Sequence, residues 1–141
     1  MNANNKSTKE KVDVRIILSA LWGARVFSGL QGDSTRLHDP VALNELVAGT
    51  SEIPVTNTML LILSIILAIP IIMSFLSLLL KDKANRRANL STGIFFVVWE
   101  LVFLIFVYSQ APVYELFWGI AYLVFVTLVV WYAWTWPKQE A

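Results

Sequence analysis

An uncharged apolar run from Thr58 to Leu80 constrains the fold of this chain more than any other feature. A membrane-spanning helix needs roughly 20 mostly apolar residues to cross a hydrocarbon core about 30 Å thick. Helices are the expected form, because backbone groups in lipid must be paired within their own segment. The run therefore predicts a transmembrane helix.

Three other segments have a similar character. The weakest begins with charged residues and contains Arg25, a second contains the single charge of Glu100, and the third is almost free of charge. A hydrophobic fraction of 57% and a charged fraction of 15% place the chain outside the ordinary soluble range. We expect an all-α membrane protein built as an antiparallel bundle of four transmembrane helices. The predicted helices cover residues 12–30, 58–80, 88–109 and 113–136.

The chain is long enough for one domain. The four helices define a membrane domain of residues 12–136, between an N-terminal tail of residues 1–11 and a C-terminal tail of residues 137–141. The first apolar segment could be mistaken for a signal peptide. Arg25 interrupts it and no small-x-small cleavage pattern follows it, so we interpret it as a retained helix.

The longest connection, residues 31–57, contains the signals of a short helix. Asp39 is a suitable N-cap, Pro40 a suitable first helical residue and Gly49 a natural stop. The apolar residues between them fall mainly toward one side. We expect a short interfacial helix at the membrane surface in this outer loop; the alternative is a loosely ordered loop.

The distribution of Lys and Arg predicts the orientation of the chain in the bilayer. These residues concentrate in the two tails and in the turn at residues 81–87, whereas the loops of the opposite side contain only Arg36. Segments rich in Lys and Arg stay on the cytoplasmic side. We therefore expect a multi-pass protein of the plasma membrane with both termini in the cytoplasm.

Arg25 and Glu100 are the two charges predicted to lie inside the membrane. Both lie roughly 18–20 Å from the cytoplasmic ends of their helices, at about 1.5 Å of rise per residue. An unpaired charge at this depth is costly, so opposite sign and similar depth predict a buried ion pair. The pair is interpreted as structural, fixing the helix register; the alternatives are a polar site for a proton, ion or anionic ligand, or an Arg25 side chain that extends to the interface.

Pro70 lies in the middle of the second predicted helix, where it removes one backbone hydrogen bond and predicts a kink. Such a kink serves packing or lines a cavity.

On the outer side, Asp33, His38 and Asp39 form a polar cluster along the sequence. Their spacing matches no metal motif, and Asp39 already has a capping role, so no metal site is predicted.

The sequence contains none of the common catalytic or nucleotide-binding motifs, so no catalytic residue is assigned and the cofactor is unknown. The absence of cysteine removes disulfides, thiolate metal sites and thiol redox chemistry. A net charge of +1 argues against a nucleic-acid partner. The expected partners are the lipid bilayer and either further copies of the chain or another membrane protein.

Several short motifs together resemble an uncharacterised family of small bacterial four-span membrane proteins. The motifs are Leu21-Trp22, Asp33, Asp39-Pro40, Ala68-Ile-Pro-Ile71, Ala84-Asn-Arg-Arg-Ala-Asn-Leu90 with Gly93, and Val130-Trp-Tyr-Ala-Trp134. The resemblance implies a bacterial inner-membrane protein with a four-helix domain. It implies no activity, and Arg25 and Glu100 do not belong to its pattern. A more distant similarity to DoxX-like membrane proteins rests on four-helix architecture alone.

Three classes of function are compatible with these features. The first is a structural or accessory membrane component, which is the interpretation we favour. The second is an oligomeric transporter or channel for a small molecule or ion. The third is a membrane-embedded, quinone-linked redox helper. The chain lacks the residues that such a helper would need to ligate haem or exchange thiols. Whether the protein is an enzyme is left open.

Overall fold

The computed structural model describes residues 12–50, 56–107 and 111–136. All regular elements within these ranges are α-helices, so the prediction of an all-α protein is confirmed for them. The helices are α1 (Val14–Leu37), α2 (Pro40–Ala48), α3 (Asn57–Leu79), α4 (Asp82–Phe106) and α5 (Val113–Thr135). The predicted tails, residues 1–11 and 137–141, lie outside the described residues.

Helix α1 continues past the predicted end at residue 30 and stops at Leu37. The apolar pattern does end near residue 30, but polar side chains support the additional turns. Thr35 Oγ1 donates to the carbonyl of Gln31 at 2.8 Å, and Arg36 forms an ion pair with Glu115 of α5. Apolar periodicity alone therefore underestimates the length of this helix.

Helix α2 has the capping pattern expected from the sequence. Asp39 is its N-cap and accepts a hydrogen bond from the Val41 N–H at 2.9 Å, and Pro40 is its first residue. Gly49 ends it with a φ of 66°, a left-handed conformation that glycine adopts without steric cost. The sequence signals thus set both ends of this short helix.

Helix α4 begins at Asp82, within the segment predicted to be a turn. The polar residues at its start form hydrogen bonds and an ion pair with other helices. These contacts extend α4 through residues that were expected to form a loop. Leu80 and Lys81 alone separate α3 from α4, because the predicted turn at residues 81–87 contributes its remaining residues to α4.

Helices α3, α4 and α5 are each long and apolar enough to cross a membrane. The chain is therefore a membrane protein. Helix α1 is long but carries more charge, including the Arg15, Arg25 and Arg36 side chains.

Helix α1 packs along both α3 and α5, and α5 packs along α4, whereas α3 and α4 contact each other only lightly. The buried apolar core lies between the four long helices, each of which contributes residues to it. There the rings of Trp22 and Phe96, both fully buried, meet edge to face with centroids 5.8 Å apart. The other core residues are Leu18, Met73, Val126, Val129, Ala133 and Trp136.

The distribution of polarity is the reverse of that in a soluble protein. Large apolar side chains such as Phe27, Phe75 and Phe106 are more than 60% exposed on the outer faces of the helices. Charged and amide side chains are buried inside, among them Arg25 and Glu100. This pattern suits a lipid environment, where outward apolar groups meet acyl chains and inward polar groups meet each other.

Candidate functional site

The structure brings together Arg25 of α1 and Glu100 of α4, the two charges singled out by the sequence. Arg25 Nη2 donates to Glu100 Oε1 in an ion pair. Arg25 is 6% exposed and Glu100 is 3% exposed, so the pair is enclosed by protein. A planar guanidinium suits this position because it directs several N–H donors toward one carboxylate.

Helix α5 supplies the wall of this site through Tyr122. The Arg25 guanidinium lies over the Tyr122 ring, 4.5 Å from its centroid, a cation–π geometry. The Tyr122 hydroxyl donates to the Ser28 carbonyl on α1 at 3.3 Å. Tyr122 therefore holds α5 against α1 beside the ion pair.

Two glycines on α1 make room for these side chains. A Cβ atom on Gly29 would lie 3.2 Å from Arg25 Nη1, and one on Gly32 would overlap the Tyr122 hydroxyl. Small residues at this position allow α5 to approach α1 closely. Gly29 and Gly32 thus shape the site.

A small cavity opens on the side of α2, next to Tyr122. It has a volume of about 60 Å³, which holds a few water molecules but is far below the roughly 300–1,000 Å³ typical of pockets for small-molecule ligands. Its lining residues are Gly32, Asp33, Arg36, Glu115, Trp118 and Tyr122. We call it the outer cavity.

A second buried polar cluster, which the sequence analysis did not identify, joins α1, α3 and α4. Trp22 Nε1 donates to Asn89 Oδ1 at 2.7 Å, and Ser77 Oγ lies 3.2 Å from the same oxygen. Asn89 Nδ2 donates to Asn85 Oδ1 at 2.7 Å, and Asn85 Nδ2 donates to the Ser77 carbonyl at 2.6 Å. The amide groups of this cluster are hydrogen-bonded to one another, which is the arrangement that makes buried polar groups tolerable.

Asn89 belongs to the turn motif Ala84–Leu90, and the sequence also carries a signal for its burial. Asn85, Asn89 and Gly93 are spaced by four residues, which places them on one face of a helix together with Glu100. The cluster is chemically inert, because neutral amides, an indole and a hydroxyl provide neither an acid nor a strong nucleophile at neutral pH.

Ion pairs also join the two ends of α1 to neighbouring helices. Arg15 pairs with Asp82 at the start of α4, with Nε 3.0 Å from Oδ1. At the opposite end, Arg36 Nε lies 3.5 Å from Glu115 Oε1 at the start of α5. Arg15, Arg25 and Arg36 of α1 are therefore each paired with a carboxylate of α4 or α5.

Arg86 on α4 caps the C-terminal end of α5. Its Nε donates to the Ala133 carbonyl and its Nη2 to the Trp134 carbonyl, each at 3.1 Å. These carbonyls belong to the last turn of α5, where no helical N–H follows to bond them. The cation also interacts favourably with the negative end of the helix dipole.

Pro70 is fully buried inside α3. Of the serines that follow it, Ser74 Oγ donates to the Ile71 carbonyl at 2.9 Å and Ser77 Oγ to the Met73 carbonyl at 2.7 Å. Ser77 also belongs to the Asn85–Asn89 cluster. Pro70 therefore lies in the packed interior, apart from the outer cavity.

The three outer-side polar residues have separate positions. Asp33 lines the outer cavity, and His38 Nδ1 lies 2.7 Å from the Ser34 carbonyl. Asp39 caps α2 and accepts a hydrogen bond from the Tyr114 hydroxyl at 2.8 Å, which lowers the pKa of the Asp39 carboxyl. In the described ranges of the chain, no three His, Cys, Asp or Glu side chains come together to hold a metal ion.

Comparison with known proteins assigns a family without assigning an activity. The sequence matches the Family of unknown function (DUF6326) over residues 8–141. Because the match covers nearly the whole chain, the protein belongs to this family, and the expectation of an uncharacterised family is confirmed. Neither a curated protein nor a solved structure matches the chain.

Proposed function

We propose that this member of a family of unknown function is a four-span membrane protein that acts as a structural or accessory component, through contacts with another membrane protein. The observation that carries the proposal is that Arg25 and Glu100, the buried charged side chains of the described residues, are paired with each other, beside a cavity of about 60 Å³. A transport or catalytic site needs more room and groups free to react.

The first part of the proposal is that α1 is the fourth span. At about 1.5 Å per residue, the rise from Arg15 to Arg36 is about 30 Å, close to the thickness of the hydrocarbon core. The pairs that these residues form with Asp82 and Glu115 would then lie at the two interfaces. Arg25, near the midpoint, is neutralised by Glu100.

The exposed side chains of α1 support the same placement. Ile16, Phe27 and Leu30 are more than half exposed, whereas the paired Arg25 faces inward. A helix with an apolar outer face and an inward polar face suits the edge of a membrane bundle. Four spans joined by the short α3–α4 and α4–α5 connections make an antiparallel bundle.

Helix α2 is proposed to lie at the membrane surface. It has no buried residue, and Val41, Leu46 and Val47 are each more than half exposed. In water such an apolar face would be unfavourable, whereas at an interface it reaches the acyl boundary. The Tyr114–Asp39 hydrogen bond joins the start of α2 to α5.

The proposed orientation has both termini in the cytoplasm. The α3–α4 end of the structure presents Lys81, Lys83 and Arg87 as exposed cations, whereas Arg36 near the α2 end is paired with Glu115. An excess of Lys and Arg marks the cytoplasmic side. We accordingly assign α2 and the outer cavity to the external side.

Native mass spectrometry of the protein, gently extracted from its own membrane, tests the accessory role. The expected result is a complex of fixed stoichiometry with one defined membrane protein, retained when Arg25 and Glu100 are replaced by Lys and Asp. These two substitutions keep the charges but shift the charged groups, so a ligand held by the pair would be lost while a partner bound elsewhere would stay. A homo-oligomer that carries a small molecule or ion, and loses it in the same double variant, would overturn the accessory role in favour of transport.

A further inference from the structure

The outer cavity and the Arg25–Glu100 pair share one side chain, Tyr122. Tyr122 lines the cavity, and its ring covers the Arg25 guanidinium at 4.5 Å. On α1, Gly29 lies beside Arg25 Nη1 and Gly32 lies beside the Tyr122 hydroxyl. Neither residue has a side chain, so Tyr122 is the principal group between the cavity and the guanidinium.

Arg25 has hydrogen-bonding capacity that its protein neighbours leave unused. Its Nε is buried, and among the described residues it has no hydrogen-bond partner. Buried N–H donors without a protein partner are commonly satisfied by an ordered water molecule. A water bound at Nε requires a route by which water reaches this depth.

The route is closed on the side of the α3–α4 turn. There the fully buried Trp22 and Phe96 rings fill the space between α1 and α4. Beyond them, Asn85 and Asn89 use their amide groups within their own cluster. Among the described residues, the open side of Arg25 is therefore the side of the outer cavity.

We propose that the outer cavity is the mouth of a one-sided, water-filled path to the Arg25–Glu100 pair, with Tyr122 as its barrier and a water-binding site at Arg25 Nε as its end. Such a path goes beyond the accessory role, which requires no access of solvent to the membrane interior. Its ligand is water, because the cavity of about 60 Å³ beside Tyr122 holds a few water molecules and Arg25 Nε offers a single N–H donor.

Cysteine labelling tests the path directly, because the chain contains no cysteine of its own. Ser28→Cys keeps the size of the side chain and places a thiol on the residue whose carbonyl accepts the Tyr122 hydrogen bond. The matched control is Phe27→Cys, at the same depth but 73% exposed on the outer face of α1. Asp33→Cys, at the mouth of the cavity, gives the labelling rate of a thiol that the reagent reaches freely.

The probe is a charged methanethiosulfonate reagent, added to sealed vesicles on the side that carries α2. It reacts with thiolates, and a thiol surrounded by lipid stays protonated. With the Tyr122 ring in place, we expect Ser28→Cys to react as slowly as Phe27→Cys, because the reagent is larger than water. Replacing Tyr122 with Ala in the Ser28→Cys chain should raise its rate at least about tenfold, because the barrier is removed and the thiol can ionise in water. Tyr122→Phe should leave the rate unchanged because the ring remains.

The proposal is overturned if Ser28→Cys reacts as slowly as Phe27→Cys even when Tyr122 is Ala, or if it reacts faster from the side of the α3–α4 turn. If Tyr122→Ala does not fold, Tyr122→Leu replaces it, because it also removes the ring that covers Arg25 while filling more of the space. These outcomes do not depend on a partner protein, so the path and the accessory role can fail separately.

Discussion

At the scale of single residues, the Arg25–Glu100 pair is the interaction on which the interior depends most. The desolvation of two buried charges offsets much of their attraction, so such a pair contributes little net stability compared with apolar residues of similar size. Removing one partner has a large effect, because the other charge stays buried without compensation. We infer that the pair contributes more to the register of α1 relative to α4 than to the free energy of unfolding.

Arg25→Ala is expected to lower the free energy of unfolding by about 3–5 kcal/mol, since it leaves Glu100 buried alone. Replacing both residues with Met removes both charges and should recover most of that loss. Thermal unfolding in one detergent, with the parent chain and Glu100→Met measured alongside, checks this. An Arg25→Ala chain that melts at the parent temperature contradicts the energetic role of the pair.

Charge made Arg25 and Glu100 predictable from the sequence, because a charge in lipid needs a partner of opposite sign at similar depth. The Trp22–Asn89–Asn85 cluster was not predicted, since amides near the start of a helix are equally compatible with an exposed turn. The contacts of Arg86 also could not be predicted from the sequence, because its partners are backbone carbonyls, which every residue carries.

At the scale of helices, close approach of α4 to α5 depends on Gly93. A Cβ atom at this position would lie 2.8 Å from Val130 Cγ2, and a β-branched side chain has little freedom to move away. The structure thus explains why a residue without a side chain stands in the middle of an otherwise bulky helix face.

Gly93→Ala should reduce stability by about 1–3 kcal/mol through overpacking against α5. Gly23→Ala is the matched control, because a Cβ there meets nothing within 4 Å. The control should raise stability by about 0.5–1 kcal/mol, the usual gain when alanine replaces glycine inside a helix. Equal effects of the two substitutions on the unfolding midpoint would show that α4 does not pack on α5 at Gly93.

The attachment of α2 to α5 is expected to depend on pH through Asp39. Hydrogen bonds from the Tyr114 hydroxyl and the Val41 N–H lower the pKa of Asp39 in the folded chain. The stabilisation is therefore fully present above the unfolded pKa of about 3.9, and it is lost as the pH falls through the lower folded value. Helix α2 should remain attached at neutral pH and loosen in acid.

A nitroxide on Val47→Cys, which lies on the exposed face of α2, measures this change. Its mobility should increase as the pH falls below the unfolded pKa of about 3.9 and through the lower folded value, where Asp39 becomes protonated in the folded chain. With Asp39→Asn, which cannot ionise, the mobility should be independent of pH over the same range. A parent chain whose spectrum stays constant in acid would exclude the Asp39 contact as the attachment of α2.

Helix ends were less predictable than helix interiors. The predicted limits of the second and fourth spans lie within a residue of those of α3 and α5, because their apolar runs end abruptly at polar or proline residues. Helix α1 and helix α4 each extend further than predicted, at the ends where charged residues bond to other helices. These tertiary contacts are not encoded in local periodicity.

At the scale of the whole molecule, the proposed four-span topology depends on α1 crossing the membrane. Apolarity alone identifies α3, α4 and α5 as candidate spans. The case for α1 rests on where its charges find partners: Asp82 near one end, Glu100 in the middle and Glu115 near the other end. A helix that lay outside the bilayer would need neither this spacing nor the apolar face that α1 exposes.

Single cysteines at Val12, Asn44 and Lys83 test this placement most directly, since all three positions are exposed and the chain has no other cysteine. Each variant is treated with a membrane-impermeant maleimide on one side of sealed vesicles. Four spans predict that Val12→Cys and Lys83→Cys are labelled from the same side and Asn44→Cys from the opposite side. If Val12→Cys and Asn44→Cys are labelled from the same side and Lys83→Cys from the other, α1 does not cross the membrane and the four-span account is wrong.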